Sequence, residues 1–388
     1  MVQQSKPHPD LGVLSRNHLQ LLLDAIKAMG YRTIGPIVKN SAITLDELDR
    51  VEELPVGWMD AQESAGYRLQ ERRDAALFGY VVGPESLKRF LYPPEQRLSE
   101  ATRTRNGWKI EEAEREVQPL AFLGVRPCDL HALAALDKVL LAGEYADSGY
   151  KLRRENTMLI AVNCGNPSGT CFCTSMGTGP KAESGYDLAL TEIIQNGGHY
   201  FVVEIGSKKG EELLARIPHD TASQQQASDA DSVTAGAVKK MGKSLDTSGL
   251  HDLLFRSIEH AQWKDVGTRC LTCGNCTMVC PTCFCSTVED YTSLDGVAAQ
   301  RTRKRDSCYT MEYSYIHGGS VRYSPAARYR QWLMHKFATW IDQYGTFGCV
   351  GCGRCITWCP AGIDVTEELR IIRVSEILDT MSASTKES

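Results

Sequence analysis

Residues 349–360 read CVGCGRCITWCP, with cysteines at the first, fourth, seventh and eleventh positions and a proline at the end. Residues 270–281, CLTCGNCTMVCP, repeat that spacing. The pattern C-x₂-C-x₂-C-x₃-C-P is typical of cysteines that bind a [4Fe–4S] cluster. Three closely spaced thiolates can surround one face of the iron–sulfide cube, and the proline ends the segment because it cannot continue a helical turn. The two stretches therefore predict two clusters.

The fourth cysteine of each stretch is expected to bind the cluster of the other stretch, as it does in proteins with two such clusters. This crossed pairing assigns the first cluster to Cys270, Cys273, Cys276 and Cys359, and the second to Cys349, Cys352, Cys355 and Cys280. A zinc site is the alternative, but zinc sites usually use two well-separated pairs of ligands. Finding the pattern twice favours iron–sulfur clusters.

Length, charge and composition restrict the class of protein. A chain of 388 residues can hold two or three domains, and a net charge of −5 carries no signature of nucleic-acid binding. Fifteen cysteines, eight of them in the two stretches, indicate thiolate ligands in a reducing compartment, so we expect a cytoplasmic protein. The sequence shows no signal-peptide core and no apolar stretch of about 18 residues, so we expect no direct membrane insertion.

The order of apolar segments predicts an α+β protein in two parts. Short apolar runs alternate with helical patterns before residue 219 and indicate an α/β domain over residues 1–218, the runs being Leu77–Val82, Leu120–Val125, Thr157–Val162 and Tyr200–Ile205. Residues 219–235 have no apolar pattern and predict a linker, placed at 219–248. Residues 249–388 form the second domain. Its helix from Ser324 to Gly345 carries an aromatic face that we expect to pack in a core.

Four further cysteines follow predicted strands of the first domain. Cys128 comes after the run 120–125, and Cys164, Cys171 and Cys173 come after the run 157–162. Loops at the carboxyl ends of parallel strands converge on one crevice, so these four thiols could hold a third [4Fe–4S] cluster. The alternative is a set of buried, unligated cysteines. Three more, Cys283, Cys285 and Cys308, are one short of a cluster, and packing near the clusters is their default interpretation.

Motifs for nucleotide and flavin binding are missing. No G-x-G-x-x-G segment follows a predicted strand and opens a helix, and the sequence contains no P-loop. The sequence therefore predicts no catalytic residues and no cofactor site beyond the clusters.

Four segments carry a resemblance to a known family: GVRPCDLHALAALD, CFCTSMGTG, RYRQWLMHKF and GCVGCGRCITWCPAGID. Together they resemble the iron–sulfur β subunit of cytoplasmic sulfhydrogenases, which are NAD(P)-linked [NiFe] hydrogenases, and the A subunit of anaerobic sulfite reductase. The resemblance implies a mostly helical, ferredoxin-like second domain with two clusters. It also implies an electron carrier whose partners are a flavin- and NAD(P)-binding subunit and a hydrogenase-like catalytic subunit pair.

Two classes of function remain open at this point. The first is an electron-transfer subunit without a substrate of its own, which passes electrons to a catalytic subunit such as a [NiFe] hydrogenase or to a sulfite reductase. The second is an iron–sulfur or flavin enzyme with its own substrate site in the N-terminal domain. The presence of cluster ligands and the lack of a nucleotide motif favour the first.

Overall fold

A computed structural model describes residues 7–113, 117–195 and 197–384, so the ends of the two predicted domains, residues 1–6 and 385–388, lie outside the described residues. The strands are β1 Pro7–Ser15, β2 Arg32–Lys39, β3 Ala42–Glu47, β4 Trp58–Glu63, β5 Gly66–Glu71, β6 Glu95–Thr104, β7 Gly107–Glu112, β8 Leu120–Val125, β9 Thr157–Val162, β10 Leu188–Gln195, β11 Gly198–Ile205, β12 Asp220–Ser223, β13 Ser286–Thr292, β14 Ala298–Arg305, β15 Tyr315–Ile316 and β16 Gly319–Ser320. The α-helices are α1 Leu19–Ala28, α2 Lys88–Leu91, α3 Pro127–Leu140, α4 Ser148–Glu155, α5 Lys208–Leu214, α6 Gln224–Lys239, α7 Leu250–Arg256, α8 Gln262–Arg269, α9 Asn275–Met278, α10 Pro325–Met334, α11 Trp340–Tyr344, α12 Arg354–Thr357 and α13 Val365–Ser384. Within these ranges no helix is long and apolar enough to cross a membrane.

A mixed eight-stranded sheet forms the centre of the N-terminal half, in the order β12-β1-β11-β10-β9-β8-β2-β3. Strands β2, β8, β9 and β10 are parallel neighbours, whereas the outer pairs are antiparallel. Alternate side chains of β8 enter two separate apolar cores, with Leu123 in one and Phe122 in the other. A sheet covered on both faces explains why β8 and β9 read as continuous apolar runs. The predicted mixture of α and β structure is confirmed.

The two central strands end where the predicted cysteine loops begin. β8 and β9 have the bounds expected from the sequence. Helix α3 starts directly after β8, with Pro127 in its first turn, where the missing N–H of proline costs no hydrogen bond. Because β8 and β9 are parallel neighbours, the segments that follow them leave the sheet at the same edge.

The apolar run Leu77–Val82 is buried but does not form a strand, contrary to its sequence pattern. Its backbone N–H groups are bonded to carboxylates instead of to a neighbouring strand. The Glu192 carboxylate accepts from Leu77 and Phe78 over 2.6 and 2.9 Å, and that of Asp60 accepts from Val81 over 2.5 Å. A buried irregular segment is possible here because side chains satisfy its backbone.

Residues 219–248, predicted as a linker, differ from that expectation. They contain β12, which pairs with β1 at the edge of the large sheet, and the sixteen-residue helix α6. Ser223 caps α6 in a reciprocal arrangement with Gln226, and the buried positions Ala230, Thr234 and Ala237 lie at helical spacing. These residues are too small or too polar to produce an apolar pattern. The division of the chain into two domains around this segment stays a prediction.

The helices predicted for the second half are present but are divided into shorter elements. The helix expected over residues 250–263 is divided into α7 and α8. The helix expected from Ser324 to Gly345 is α10, a five-residue π-helical turn over His335–Thr339, and α11, which ends at Gly345 with a φ of +70°. Its aromatic face packs in a core as predicted, and that core also contains side chains of α7, α8 and α13.

A four-stranded antiparallel sheet in the order β13-β14-β6-β7 joins the two halves of the chain. Strands β13 and β14 form a hairpin between the two cysteine stretches, and β14 pairs with β6 from the N-terminal half. The long spacer between the stretches is therefore not purely helical. The hairpin also brings Cys285, just before β13, near Cys308, just after β14.

Candidate metal centres

Both cysteine stretches fold into the same local turn. The third residues, Thr272 and Gly351, have φ values of +52° and +65°, and each donates its backbone N–H to the sulfur of the first cysteine of its stretch over 3.4 Å. Two residues later, Gly274 and Gly353 have φ values of +75° and +74° and precede the short helices α9 and α12. This repeated turn directs the first three thiols of each stretch toward a cavity.

Two neighbouring cavities receive the eight cysteines. The first spans about 470 Å³, part of it open to solvent, and is lined by Cys270, Cys273, Cys276 and Cys359. The second encloses about 370 Å³ and is lined by Cys280, Cys349 and Cys352. Cys355 and Trp332 line both cavities and so lie between them. The fourth cysteine of each stretch thus lies at the cavity of the other stretch, the arrangement that the crossed pairing requires.

Burial controls the ionisation of the thiols at these cavities. Burial raises the pKa of Cys276 and Cys349, to about 12 for Cys349, so both thiols need a metal to become thiolates near neutral pH. Among the described residues, no group of three or more His, Cys, Asp or Glu side chains converges to hold a single metal ion. The cysteines surround cavities instead, as the ligands of a cube of several irons would.

Buried hydrogen-bond donors in the first cavity also fit such a group. The Tyr329 hydroxyl and the indole N–H of Trp332 are buried and have no hydrogen-bond partner among the described residues. A buried donor left without a partner costs about 1–3 kcal/mol. Sulfide and thiolate sulfurs of a bound cluster would supply acceptors at this place.

Two buried lysines lie beside the second cavity. Lys336 donates to the Thr282 hydroxyl over 2.6 Å and to the Gly348 carbonyl over 3.0 Å, and Lys88 donates to the carbonyls of Cys280 and Cys283 over 2.5 and 2.9 Å. Each is 2% exposed, and neither has a carboxylate partner in the described part of the chain. Buried cations normally need a compensating negative charge. A cluster with four thiolates, which is negatively charged, would provide it.

The four cysteines of the N-terminal half lie in one region of the fold. The thiol of Cys173 is near those of Cys128, Cys164 and Cys171, close enough for their charges to raise one another's pKa. Burial is the larger cause and raises the pKa of Cys173 to about 12. Cys128 and Cys173 also lie near Cys352 of the second cavity. The third set is therefore next to the second site.

A buried arginine accompanies this third set. Arg126, 2% exposed, donates to the carbonyls of Phe78, Tyr80 and Asn163 and has no carboxylate partner among the described residues. Its charge opposes the rise in the pKa of Cys164 that burial causes. The charge of Arg126 also acts on the buried carboxylate of Asp60, and a negatively charged group in the third site would compensate it further.

Direct contacts fix the loop after β9 to the second cysteine stretch. The backbone N–H of Phe172 donates to the Gly351 carbonyl over 2.8 Å, and the Thr178 hydroxyl donates to the Val350 carbonyl over 2.6 Å. A buried ion pair reinforces the contact, since Arg354 in α12 donates to both carboxylate oxygens of Asp129 in α3 over 2.8 and 3.1 Å. The third set and the second site therefore belong to one packed unit.

Charged residues near the sites were missed at the level of sequence. Lys336 lies in the aromatic helical segment, and Arg354 lies in the second cysteine stretch. A charged residue within an apolar or cysteine-rich pattern is a signal that could have identified both. Lys88 lies nearly two hundred residues before the cysteines that it contacts, and no local signal marks it.

The comparisons with known proteins agree with this geometry. Residues 269–363 match a family described as the 4Fe-4S dicluster domain. Over 351 residues, 90% of this chain and 94% of the relative, the sequence is 30% identical to Sulfhydrogenase 2 subunit beta of Pyrococcus furiosus. The chain belongs to the sulfhydrogenase β-subunit family. Its dicluster domain confirms the predicted [4Fe–4S] chemistry and makes the chain an iron–sulfur electron-transfer protein of the hydrogenase-subunit type.

Proposed function

We propose that this β subunit relays single electrons between a flavin- and NAD(P)-binding subunit and a hydrogenase-like catalytic subunit pair in a cytoplasmic complex. The observation that carries the proposal is the adjacency of the thiol sets. Cys355 and Trp332 lie between the first and second cavities, and Cys352 lies between the second cavity and the third set. Sites in such a row allow electrons to move in steps.

The cofactors in this proposal are three [4Fe–4S] clusters, which supply one-electron chemistry when bound. The crossed sets of cysteines hold the first two, and Cys128, Cys164, Cys171 and Cys173 hold the third. Lys88, Lys336 and Arg126 place positive charge beside the second and third sites and so stabilise the more negative, reduced state. Tyr329 and Trp332 donate hydrogen bonds toward sulfur, another determinant of the reduction potential.

The two ends of the row would face different partners. Cys273, a ligand of the first cluster in the crossed assignment, is exposed, and Leu271 beside it is 66% exposed. A protein docked at this edge would lie close to the first site. The third set lies at the opposite end, at the carboxyl edge of the large sheet.

An enzyme with its own substrate site is the second candidate, and one polar cavity favours it. The cavity encloses about 770 Å³ between the end of β9, the strand β10 and the helix α6. Arg72 and Lys240 contribute positive charge to its wall, and Glu192 and Asp74 contribute negative charge. It lies beyond the carboxyl end of a parallel strand, where α/β sheets commonly bind ligands.

Analysis of the anaerobically purified chain separates these functions. The relay with three clusters predicts about twelve irons per chain, four for each cube, and no bound flavin. It also predicts reduction by dithionite without any oxidation of NADH or NADPH by a viologen dye. Bound flavin, or strong NAD(P)H–dye activity in the absence of partner subunits, would favour the second candidate. About eight irons would leave the relay with two clusters.

A further inference from the structure

Three cysteines remain outside the cluster sites, and two of them are in contact. The side chains of Cys308 and Cys285 are close neighbours, and the Cys308 thiol favours ionisation of Cys285. The backbone joins the same two segments, because the N–H of Asp306 donates to the Cys285 carbonyl over 2.9 Å. This hydrogen bond continues the β13–β14 ladder, so the hairpin holds the two cysteine-bearing segments side by side.

We propose that Cys285 and Cys308 form a redox-active dithiol that stores two electrons beside the clusters and closes to a disulfide when oxidised. The exchange of its electrons with the clusters rests on the relay function proposed above; the formation of the disulfide does not.

The position of the pair suits exchange with the first cluster. Cys285 and Cys308 belong to the apolar core that surrounds both cavities, and Cys308 lies close enough to Cys276 for their charges to interact. The neighbouring Cys308 thiol, the Tyr313 hydroxyl and the charge of Lys336 all lower the pKa of Cys285 and so favour its thiolate. The thiolate is the form that reacts in disulfide chemistry.

The proposed reaction balances as a two-electron step. When the disulfide opens, the sulfur–sulfur bond takes up two electrons and two protons and gives the thiols of Cys285 and Cys308. The electrons come one at a time from two reduced clusters, each of which returns to its oxidised state. Tyr313, which is 39% exposed and lies beside Cys285, connects the pair to water, which supplies the protons. In the reverse direction the pair returns both electrons to oxidised clusters.

Cys283 provides a matched control within the same segment. Its side chain is bonded to the sulfur of Cys280, a ligand of the second cluster in the crossed assignment, and its carbonyl accepts from Lys88 over 2.9 Å. Cys283 interacts most closely with Cys280 at the second site, and although its charge also reaches Cys308, the closest side-chain neighbour of Cys308 is Cys285.

The sequence allows a direct test by peptide mapping of the full-length protein. Trypsin releases residues 306–322 as a peptide whose single cysteine is Cys308, and residues 270–301 as the peptide that contains Cys285. The anaerobic protein is treated with diamide, a two-electron thiol oxidant, then alkylated in denaturant and digested. We expect Cys308 to escape alkylation and the two peptides to appear linked. In Cys285→Ser, Cys308 should be alkylated again, whereas Cys283→Ser should behave as the wild type.

The iron content and the rate at which the disulfide is reduced complete the test. Cys285→Ser and Cys308→Ser should retain the wild-type iron content; a loss of about four irons would make these residues cluster ligands and overturn the proposal. Full alkylation of Cys308 in the diamide-treated wild type would also overturn it.

Dithionite should open the linked form at least tenfold faster in the wild type than in Cys359→Ser, which lacks a ligand of the first cluster. Equal rates would reject exchange through that cluster. A chain that binds no iron would refute the relay and still report on the disulfide.

Discussion

At the scale of single residues, buried charge distinguishes these sites from ordinary cysteine-rich cores. Lys88, Lys336 and Arg126 are each 2% exposed and are bonded to carbonyl or hydroxyl oxygens, not to carboxylates. Burying an unpaired charge costs several kcal/mol, so these positions make sense only beside negative groups. In the proposed relay the cysteines provide ligands, and the cations would adjust the energy of adding an electron.

Lys336→Met removes one of these charges at nearly constant volume. We expect the reduction potential of the second cluster to fall by at least about 59 mV, which for one electron is a tenfold change in equilibrium, because the reduced state loses a nearby cation. A redox titration followed by electron paramagnetic resonance measures the change. Lys239→Met, at an exposed position, is the control and should leave all potentials unchanged. Equal potentials in both variants would contradict a role of Lys336.

The crossed pairing can be tested with four serine variants. Cys359→Ser should give the same loss of spectroscopic signal as Cys273→Ser, since both remove a ligand of the first cluster. Cys280→Ser should match Cys352→Ser, which removes a ligand of the second. If Cys359→Ser instead resembles Cys352→Ser, each stretch binds its own cluster and the crossed assignment is wrong.

At the scale of elements, the decisive contact is between the loop after β9 and the second cysteine stretch. That stretch needs glycine where it turns, because Gly351 and Gly353 have left-handed backbones and lie against the loop. A Cβ at Gly353 would lie 2.3 Å from the Thr170 carbonyl oxygen. The same turn in the first stretch has a threonine, Thr272, at the position of Gly351, so the close approach belongs to the second stretch.

Gly353→Ala should therefore destabilise the protein more than a left-handed backbone alone explains. Gly296→Ala is the matched control, because Gly296 has a φ of +66° and no atom within 4 Å of the added Cβ. The control should cost about 1–2 kcal/mol. Gly353→Ala should cost more and should also reduce the iron content, since the loop must move away from the second stretch. Thermal unfolding under anaerobic conditions and iron analysis measure both effects, and equal values in the two variants would show that the contact does not matter.

At the scale of the whole molecule, one packed unit aligns three thiol sets that are far apart in sequence. The large sheet presents the third set, the aromatic helix α10 lies against both cavities, and the ion pair of Arg354 with Asp129 joins the two halves. This arrangement is the one that the proposed relay between two partners requires.

If the proposed third cluster is present, Cys173→Ser should lower the iron content from about twelve to about eight per chain, because it removes one of the ligands assigned to that cluster. The NAD(P)H–dye activity should stay absent. Cys285→Ser, a cysteine change outside the three sets, should keep about twelve. Unchanged iron in Cys173→Ser would mean that the four N-terminal cysteines are buried thiols, the alternative left open by the sequence.

The spacing of residues along the sequence was enough to predict many features of this protein. The cysteine stretches predicted [4Fe–4S] chemistry, and the dicluster domain match confirms it. The bounds of β8 and β9 followed from continuous apolar runs, because strands buried on both faces leave no polar alternation. Ser324, Pro325 and Gly345 delimited the aromatic helix, since capping and breaking depend on nearby atoms alone.

Tertiary structure decided what depends on residues distant in the chain. Leu77–Val82 is apolar but irregular, because the carboxylates of Glu192 and Asp60 replace strand partners. Helix α6 could not be predicted because its buried face consists of small residues, which are buried only by packing against the neighbouring sheet. The meeting of Lys88 with Cys280 has no local signal at all. Pairing, burial and charge compensation arise from contacts that form only when the chain is folded, so spacing could indicate the ligands but not their electrostatic surroundings.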